Sequence, residues 1–388
     1  MKLSKRVMSV KPSLTLAISA KAKKMKKDGL DVVNFGAGEP DFDTPSHIKA
    51  SAVKAIHEGF TKYTPASGIP ELKEAISKKL ERDNGLTYGP SSIIVSCGAK
   101  HTLYNIFQAL CEDPDEVIIP SPYWLSYPEM VKLASAKPVF IKTRDKEAFK
   151  ISPSELKKTI TKRTKAIILN SPSNPTGTVY DKKELEEIAD IAVSKKILVV
   201  SDEIYEKLIY GAGKHVSIAS LGEKIKDLTL VVNGVSKSYS MTGWRIGYMA
   251  GDDKIVSAIN NIQSHSTSNP ASISQKAALE AISGEQSSIS SMKKEFESRR
   301  DYMVERLNKI PCFRVSLPKG AFYVFCNIKD TGYNSIEITN KLLDEANVAL
   351  VPGKPFGSDN HVRLSFATST ADIAKGLDRI EKWVKERL

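Results

Sequence analysis

The sequence predicts an α/β fold, with one large, mostly parallel sheet wrapped by helices and a smaller α/β domain beside it. Three observations carry that expectation. Short apolar runs recur at residues 93–96, 116–120, 165–169, 197–200 and 230–232, and each reads as a buried strand. Segments with helical spacing lie among them, at 45–59, 71–83 and from 99 through Leu110. The chain of 388 residues is long enough for two domains, one of which can hold a large sheet.

Taken in order, the elements have identifiable boundaries. Thr44 reads as an N-cap with Pro45 at the first helical position. The glycine and proline residues of Lys62-Tyr63-Thr64-Pro65-Ala66-Ser67-Gly68-Ile69-Pro70 mark a loop before the 71–83 helix. Cys97-Gly98-Ala99-Lys100 turns a strand into a helix. Such a junction of small residues leaves backbone N–H groups free to hold phosphate at the positive helix end. After Gly251 the chain becomes helical, and 285–307 reads as one long, charged amphipathic helix. Strands at 313–315, 320–325 and 362–367, separated by helices, predict the smaller α/β domain. No internal repeat or low-complexity linker interrupts this order.

Composition excludes several classes. Hydrophobic residues at 41% and charged residues at 26% describe an ordinary globular protein. The net charge of +12 raises the question of nucleic acid. Basic residues are densest from Lys21 to Lys27, where Ala22 and Met25 interrupt them at helical spacing, as on a helix with one solvated face. No aromatic residues interleave with these lysines and no nucleic-acid motif appears, so scattered surface lysine explains the charge. Cys97, Cys111, Cys312 and Cys326 have neither C-x-x-C spacing nor nearby histidines, and read as reduced thiols of a cytoplasmic protein. The N-terminal residues lack the apolar core of a secretory signal, and no run approaches the ~20 apolar residues of a membrane span. His265 has no second ligand at metal spacing and reads as structural.

The chemistry concentrates in Thr229 to Tyr248. A buried run, Leu230 to Val232, leads into a loop of small and polar residues with Lys237 at its centre and Gly243-Trp244-Arg245 at its end. Partial burial and a neighbouring cation both favour the neutral, nucleophilic amine. Arg245 is permanently charged, and it suits both that task and the binding of a phosphate. Ser236 and Ser238 add hydroxyls. An amine beside a phosphate site suits a Schiff base with pyridoxal phosphate (PLP). Taken alone, Ser236-Lys237-Ser238 reads as a solvated surface loop, as most lysines are.

The longer string S-K-x-x-x-M-T-G-W-R-I-G-Y closely resembles the cofactor-lysine signature of the class I (fold type I) PLP-dependent aminotransferases, and matching strings follow in order along the chain. The resemblance implies a PLP-dependent transferase fold of seven-strand type. Its large domain would span residues 45–280, and its small domain 1–44 with 281–388. It also gives sharper roles to residues whose patterns leave alternatives open. Gly36 and Gly38 make either a turn or a close backbone approach. In G-x-G-E-P-D-F, Gly38 is implied as a substrate contact. Tyr63 is either a packed aromatic or, by resemblance, a tyrosine reaching across a dimer to the partner's cofactor phosphate. Gly98, Ala99 and Lys100 are implied at the phosphate, with Lys100 alternatively aimed at a substrate carboxylate. Trp124, otherwise a core tryptophan, is implied to stack on the cofactor ring, a contact that gains dispersion and charge–quadrupole energy.

Asn174 precedes a proline and should be extended, aiming its amide away from the turn. By resemblance it meets the cofactor's phenolic oxygen and the substrate carboxylate, and Tyr205 meets the same phenolic oxygen. Asp202 ends a buried strand, where a carboxylate can keep a pyridine nitrogen protonated. Arg363 alternates with apolar neighbours, so it is either an inward guanidinium that expects an anion or an edge-strand arginine facing water. The resemblance implies that it grips the substrate α-carboxylate.

The nearest branch by resemblance comprises the aspartate and aspartate–prephenate aminotransferases. It implies small amino-acid and 2-oxo-acid substrates, a homodimer with shared active sites, and Lys11 or Lys100 as the second cation for a dicarboxylate. Aromatic or alanine aminotransferases and a PLP-dependent carbon–sulfur lyase are the alternatives. A PLP-fold transcription regulator would need an added DNA-binding domain, for which no residues are left over.

Overall fold

A computed structural model describes residues 3–10, 12 and 14–388. In chain order its strands are β1 (Val33–Asn34), β2 (Ile93–Ser96), β3 (Glu116–Ser121), β4 (Lys137–Lys142), β5 (Thr164–Asn170), β6 (Leu198–Asp202), β7 (Thr229–Gly234), β8 (Gly247–Ala250), β9 (Tyr323–Asn327), β10 (Val348–Ala349), β11 (Val351–Pro352) and β12 (His361–Ser365). Seven of them form one sheet in the order β2-β8-β7-β6-β5-β3-β4. Every pairing from β7 through β4 is parallel, and β8 alone runs against its neighbours. The mostly parallel sheet expected from the apolar runs is therefore present. β2, β7 and β8 are buried along their whole length, and β3, β5 and β6 over most of theirs, which is why these strands are rich in apolar residues.

The helix Pro70–Asn84 illustrates how the sheet is covered. Leu72, Ile76 and Leu80, four residues apart, face inward and are fully buried. Each such side chain contributes roughly 1.5–3 kcal/mol on burial. The helix stops at Gly85, whose φ of +65° ends it in the left-handed region.

A second sheet, β11-β12-β9, is antiparallel, and β1 pairs in parallel with β10. One apolar core joins Val33 and Phe35 to Phe296, Phe322, Leu364 and Trp383, and it also takes in Tyr205 and Leu208 from the end of β6.

Three local expectations are corrected. The first helix of the large sheet spans Ser46–His57, with Pro45 extended before it. Thr44 is not its cap: the hydroxyl donates to the Ser240 carbonyl at 2.7 Å and accepts from Trp244 Nε1 at 3.0 Å, so a tertiary tie outcompetes the local one. Residues 313–315 make only a single bridge, Arg314 to Asn327. The side-chain amide of Asn308 takes both backbone groups of Val315, and pairing ends there. The long charged helix runs over Ser287–Lys309, two residues later than its periodicity indicated. Strands β4 and β8 were not legible from the run pattern. β4 is an edge strand with only Ile141 buried, and β8 is too short to stand out beside the Gly243–Arg245 loop.

Candidate active site

The parallel strands deliver their C-terminal ends to one cavity of about 430 Å³. Asn170 ends β5, Asp202 ends β6, and Ser236 and Lys237 follow β7. Ligands of open α/β sheets bind at this edge.

Asp202 is buried. Its Oδ2 accepts from the Tyr127 hydroxyl at 2.6 Å and its Oδ1 from the Ile204 N–H at 3.3 Å. Burial raises its pKa to about 6 against the pull of those two donors. A carboxylate held that way has a strong preference for a cationic neighbour. Lys237 Nζ donates to the Gly38 carbonyl at 2.6 Å. Burial pushes its pKa down to about 8; Glu39 and Asp202 oppose the shift, and the positive charges of Arg245 and Arg363 add to it. An amine with that value is about one-tenth neutral at pH 7, against about one part in 3,000 for an ordinary lysine. Trapping of Lys237 with a small aldehyde and borohydride, read by peptide mass, should thus climb with pH only to about 8. A yield still climbing at pH 10 would return Lys237 to the ordinary range.

Arg245 sits in the left-handed region, φ +58°, with its guanidinium on two backbone carbonyls: Thr242 at 2.8 Å and Cys97 at 3.3 Å. It lies directly over Gly98, the residue that opens the helix Ala99–Leu110, and a Cβ there would collide with it. A helix N-terminus, a guanidinium and the Ser236 hydroxyl thus converge on one wall, as an anion site requires.

On the opposite wall Arg363 projects inward from β12 and is buried. Nη1 donates to Asn174 Oδ1 at 2.9 Å and Nη2 to the Gly36 carbonyl at 3.1 Å, while the buried Nε has no partner among the described residues. The guanidinium lies 4.3 Å from the Tyr323 ring centre. Of its two readings, inward rather than facing water, the inward one holds. Burial holds its pKa below the ordinary arginine value.

Comparisons with known proteins agree with this geometry. A profile for aminotransferase class I and II matches residues 30–380. The aspartate aminotransferase of Bacillus sp. strain YM-2 is 52% identical over 388 residues, 99% of each chain. A probable aspartate/prephenate aminotransferase of Aquifex aeolicus is 46% identical over 99% of each. The structure of Thermus thermophilus aspartate aminotransferase with maleate superimposes with a TM-score of 0.95 at 43% identity, covering 98% of this chain and 99% of that one. The chain belongs to the class I and II aminotransferase family.

Most of the residues singled out in the sequence of this aminotransferase meet in the cavity: Gly38, Ala99, Lys100, Trp124, Asn174, Asp202, Tyr205, Ser236, Lys237, Arg245 and Arg363 all line it. Lys100 Nζ lies 4.9 Å from the Trp124 ring centre, and burial, then Arg245, lowers its pKa. Gly98 stands behind the wall, beneath Arg245. Tyr63 is 90% exposed and outside the cavity of its own chain. Lys11 lies outside the described residues.

Sequence reasoning missed Tyr127 and Tyr323. Tyr127 binds Asp202 and stands edge-on to Trp124, ring centres 5.3 Å apart. Tyr323 meets the Tyr205 hydroxyl at 3.0 Å. Tyr127 sits three residues after Trp124 in Ser121-Pro122-Tyr123-Trp124-Leu125-Ser126-Tyr127-Pro128, and that proximity was the available signal. Elsewhere in the aminotransferase, Glu203, Glu206 and His215 bring their ligand atoms within 4.8 Å of one another, and the ammonium of Lys79 already pairs with Glu206 there. Among the described residues no helix is long and apolar enough to cross a membrane.

Proposed function

We propose that this aminotransferase uses pyridoxal phosphate to exchange the amino group of L-aspartate with 2-oxoglutarate, giving oxaloacetate and L-glutamate. The observation that carries the reading is the pairing, across one cavity, of a lysine with pKa about 8 and a buried arginine whose Nε has no partner among the described residues. Identity of 52% to an aspartate aminotransferase supports the choice of substrate. The residues fit the cofactor. Lys237 is the amine to hold it, Asp202 is the buried carboxylate for its ring nitrogen, and Trp124 offers a ring face. Ser236, Arg245 and the N–H groups at Ala99 and Lys100 form a cradle for its phosphate.

When bound, the cofactor supplies a protonated ring that takes up the electron pair leaving the substrate Cα. Asp202 keeps the ring-nitrogen proton in place. Asn174, with Oδ1 engaged by Arg363, has its Nδ2 left as a donor for the cofactor's phenolic oxygen, and the Tyr205 hydroxyl would be a second donor to it. Arg363 and Asn174 hold the substrate α-carboxylate in the fork geometry that a guanidinium provides, beside the Gly38 backbone. Lys100, and Lys11 from the N-terminal segment, are the cations for the distal carboxylate. Once the substrate's amino group has displaced it from the cofactor, Lys237 Nζ would take the proton from the substrate Cα as general base and give it to the cofactor's former aldehyde carbon as general acid.

Residues 45–280 form the body that bears the cofactor, and residues 1–44 with 281–388 form the smaller domain. The shared core of Val33, Phe322 and Trp383 supports that division. The exposed Tyr63 supports a homodimer in which it serves the partner's phosphate site, and the four free cysteines support a cytoplasmic setting. Relatives named as aspartate/prephenate aminotransferases extend the reading to prephenate as a second oxo acid.

The test is spectral. L-Aspartate and L-glutamate should each convert the cofactor's absorption to that of the pyridoxamine form, and oxaloacetate should reverse it. Conversion by alanine or phenylalanine but by neither dicarboxylate would discard the aspartate reading together with the roles of Lys11 and Lys100. Release of sulfide or thiol from a sulfur amino acid would favour a lyase.

A further inference from the structure

We infer that the buried cluster of Lys79, Glu203, Glu206 and His215 is a positioning device that fixes Asp202 and Tyr205 toward the cofactor. The inference rests on the reading that those two side chains face pyridoxal phosphate. Its basis is the alternation of the segment that follows β6. Asp202 and Tyr205 line the cavity, whereas Glu203 and Glu206 do not and are buried behind it.

Both glutamates are held on several sides. Glu203 Oε1 accepts from the hydroxyls of Ser201 at 2.8 Å and Ser217 at 2.7 Å, and its Oε2 meets His215 Nε2 at 2.8 Å. Glu206 pairs with the ammonium of Lys79 and accepts from Asn84 Nδ2 at 2.9 Å. Lys79 in turn donates to Asn84 Oδ1 at 2.7 Å, which ties the turn to the helix Pro70–Asn84. One residue on, Lys207 bonds Asp83 of the same helix at 2.6 Å. The turn's own backbone is closed by Glu203 N–H to Val232, Glu206 N–H to Glu203 and Leu208 N–H to Tyr205.

A protonated His215 makes the cluster neutral, with two cations against two carboxylates. Burial works against that charge, and the Glu203 carboxylate outweighs it, so the imidazole pKa stands above its ordinary value. Buried ion pairs add little net stability, because desolvation offsets their attraction, and apolar replacements of equal volume are often neutral. Their directional bonds instead select one geometry. Here that geometry sets where Asp202 and Tyr205 point, with Asp202 Oδ1 further fixed by the Ile204 N–H.

The experiment compares the holoenzyme with the double variant K79M/E206M and with E203Q. K79M/E206M removes both charges together and should keep its thermal midpoint within about 5 °C of the parent. The pH midpoint of its cofactor absorption should nevertheless move by at least about half a unit, and its pyridoxal phosphate should dissociate about tenfold more readily. Its kcat should fall about tenfold with KM for aspartate little changed. E203Q carries the same spectral expectation and decides alone if the double variant does not fold. Variants that keep the parental absorption midpoint and cofactor affinity would overturn the inference and leave the cluster as packing. A parental protein that forms no lysine-bound cofactor spectrum would instead bring down the proposed function, and the inference with it.

Discussion

Lys237→Ala is expected to lower the rate of transamination by about 10⁴-fold. Proton transfer by a placed side chain contributes up to about that factor. Among the described cavity residues the other cations are Lys100, beside the Trp124 ring and assigned to the distal carboxylate, and Arg245 and Arg363, and arginine does not deprotonate. Half-reaction kinetics with aspartate, followed at the cofactor band, measure the loss; a rate near the parental one would remove Lys237 from the chemistry. The same site gives the opposite result for stability. In the folded, cofactor-free protein Lys237 has its pKa lowered from 10.5 to about 8, so the unfolded chain binds more protons there between about pH 8 and pH 10.5. The charge therefore costs the cofactor-free fold about 3 kcal/mol below pH 8, and that cost fades as pH rises from 8 towards 10.5. Lys237→Met, which keeps the stem, should raise the thermal midpoint of the cofactor-free protein at pH 7 and lose that advantage by pH 10.5.

Arg363→Ala is expected to lower kcat/KM about 10²- to 10³-fold for aspartate and for 2-oxoglutarate alike. Truncating one partner of a buried, hydrogen-bonded charge pair costs about 2–5 kcal/mol. Each half-reaction uses the same α-carboxylate site, so both substrates lose together. Arg363→Lys restores the charge but not the fork, and should recover little. Because Arg363 is one of the charges that lower the Lys237 pKa, the alanine variant should also shift the Lys237 trapping profile to higher pH. A loss confined to one substrate would show that Arg363 does not bind the carboxylate common to both.

These expectations were partly legible in the chain itself. β2 spans the same four residues read as a strand, because Ile93, Ile94 and Val95 are all buried and Ser96 closes the run. Local pattern left a solvent-facing alternative open for both Lys237 and Arg363, and the family resemblance supplied the sharper role of each. Pairings between distant segments were not legible. Tyr127 and Asp202 are 75 positions apart, and Lys79 meets Glu206 only because a helix and a turn pack together. Thr44 looked like a cap because capping is local, whereas its partners lie almost 200 residues away. Periodicity encodes which face is buried; it does not encode which face it meets.

The parallel pair of β1 with β10 joins Val33 to Val348, and Gly36 offers its carbonyl to Arg363. An N-terminal segment that finds its strand partner some 300 residues later must wait for it during synthesis. At about 5–20 residues per second that interval is roughly 15 to 60 s. The seven-stranded sheet, complete by Ala250, can fold within it. Val33 and Phe35 meanwhile remain without their core, an exposed apolar stretch for a chaperone to shield until the last strands leave the ribosome.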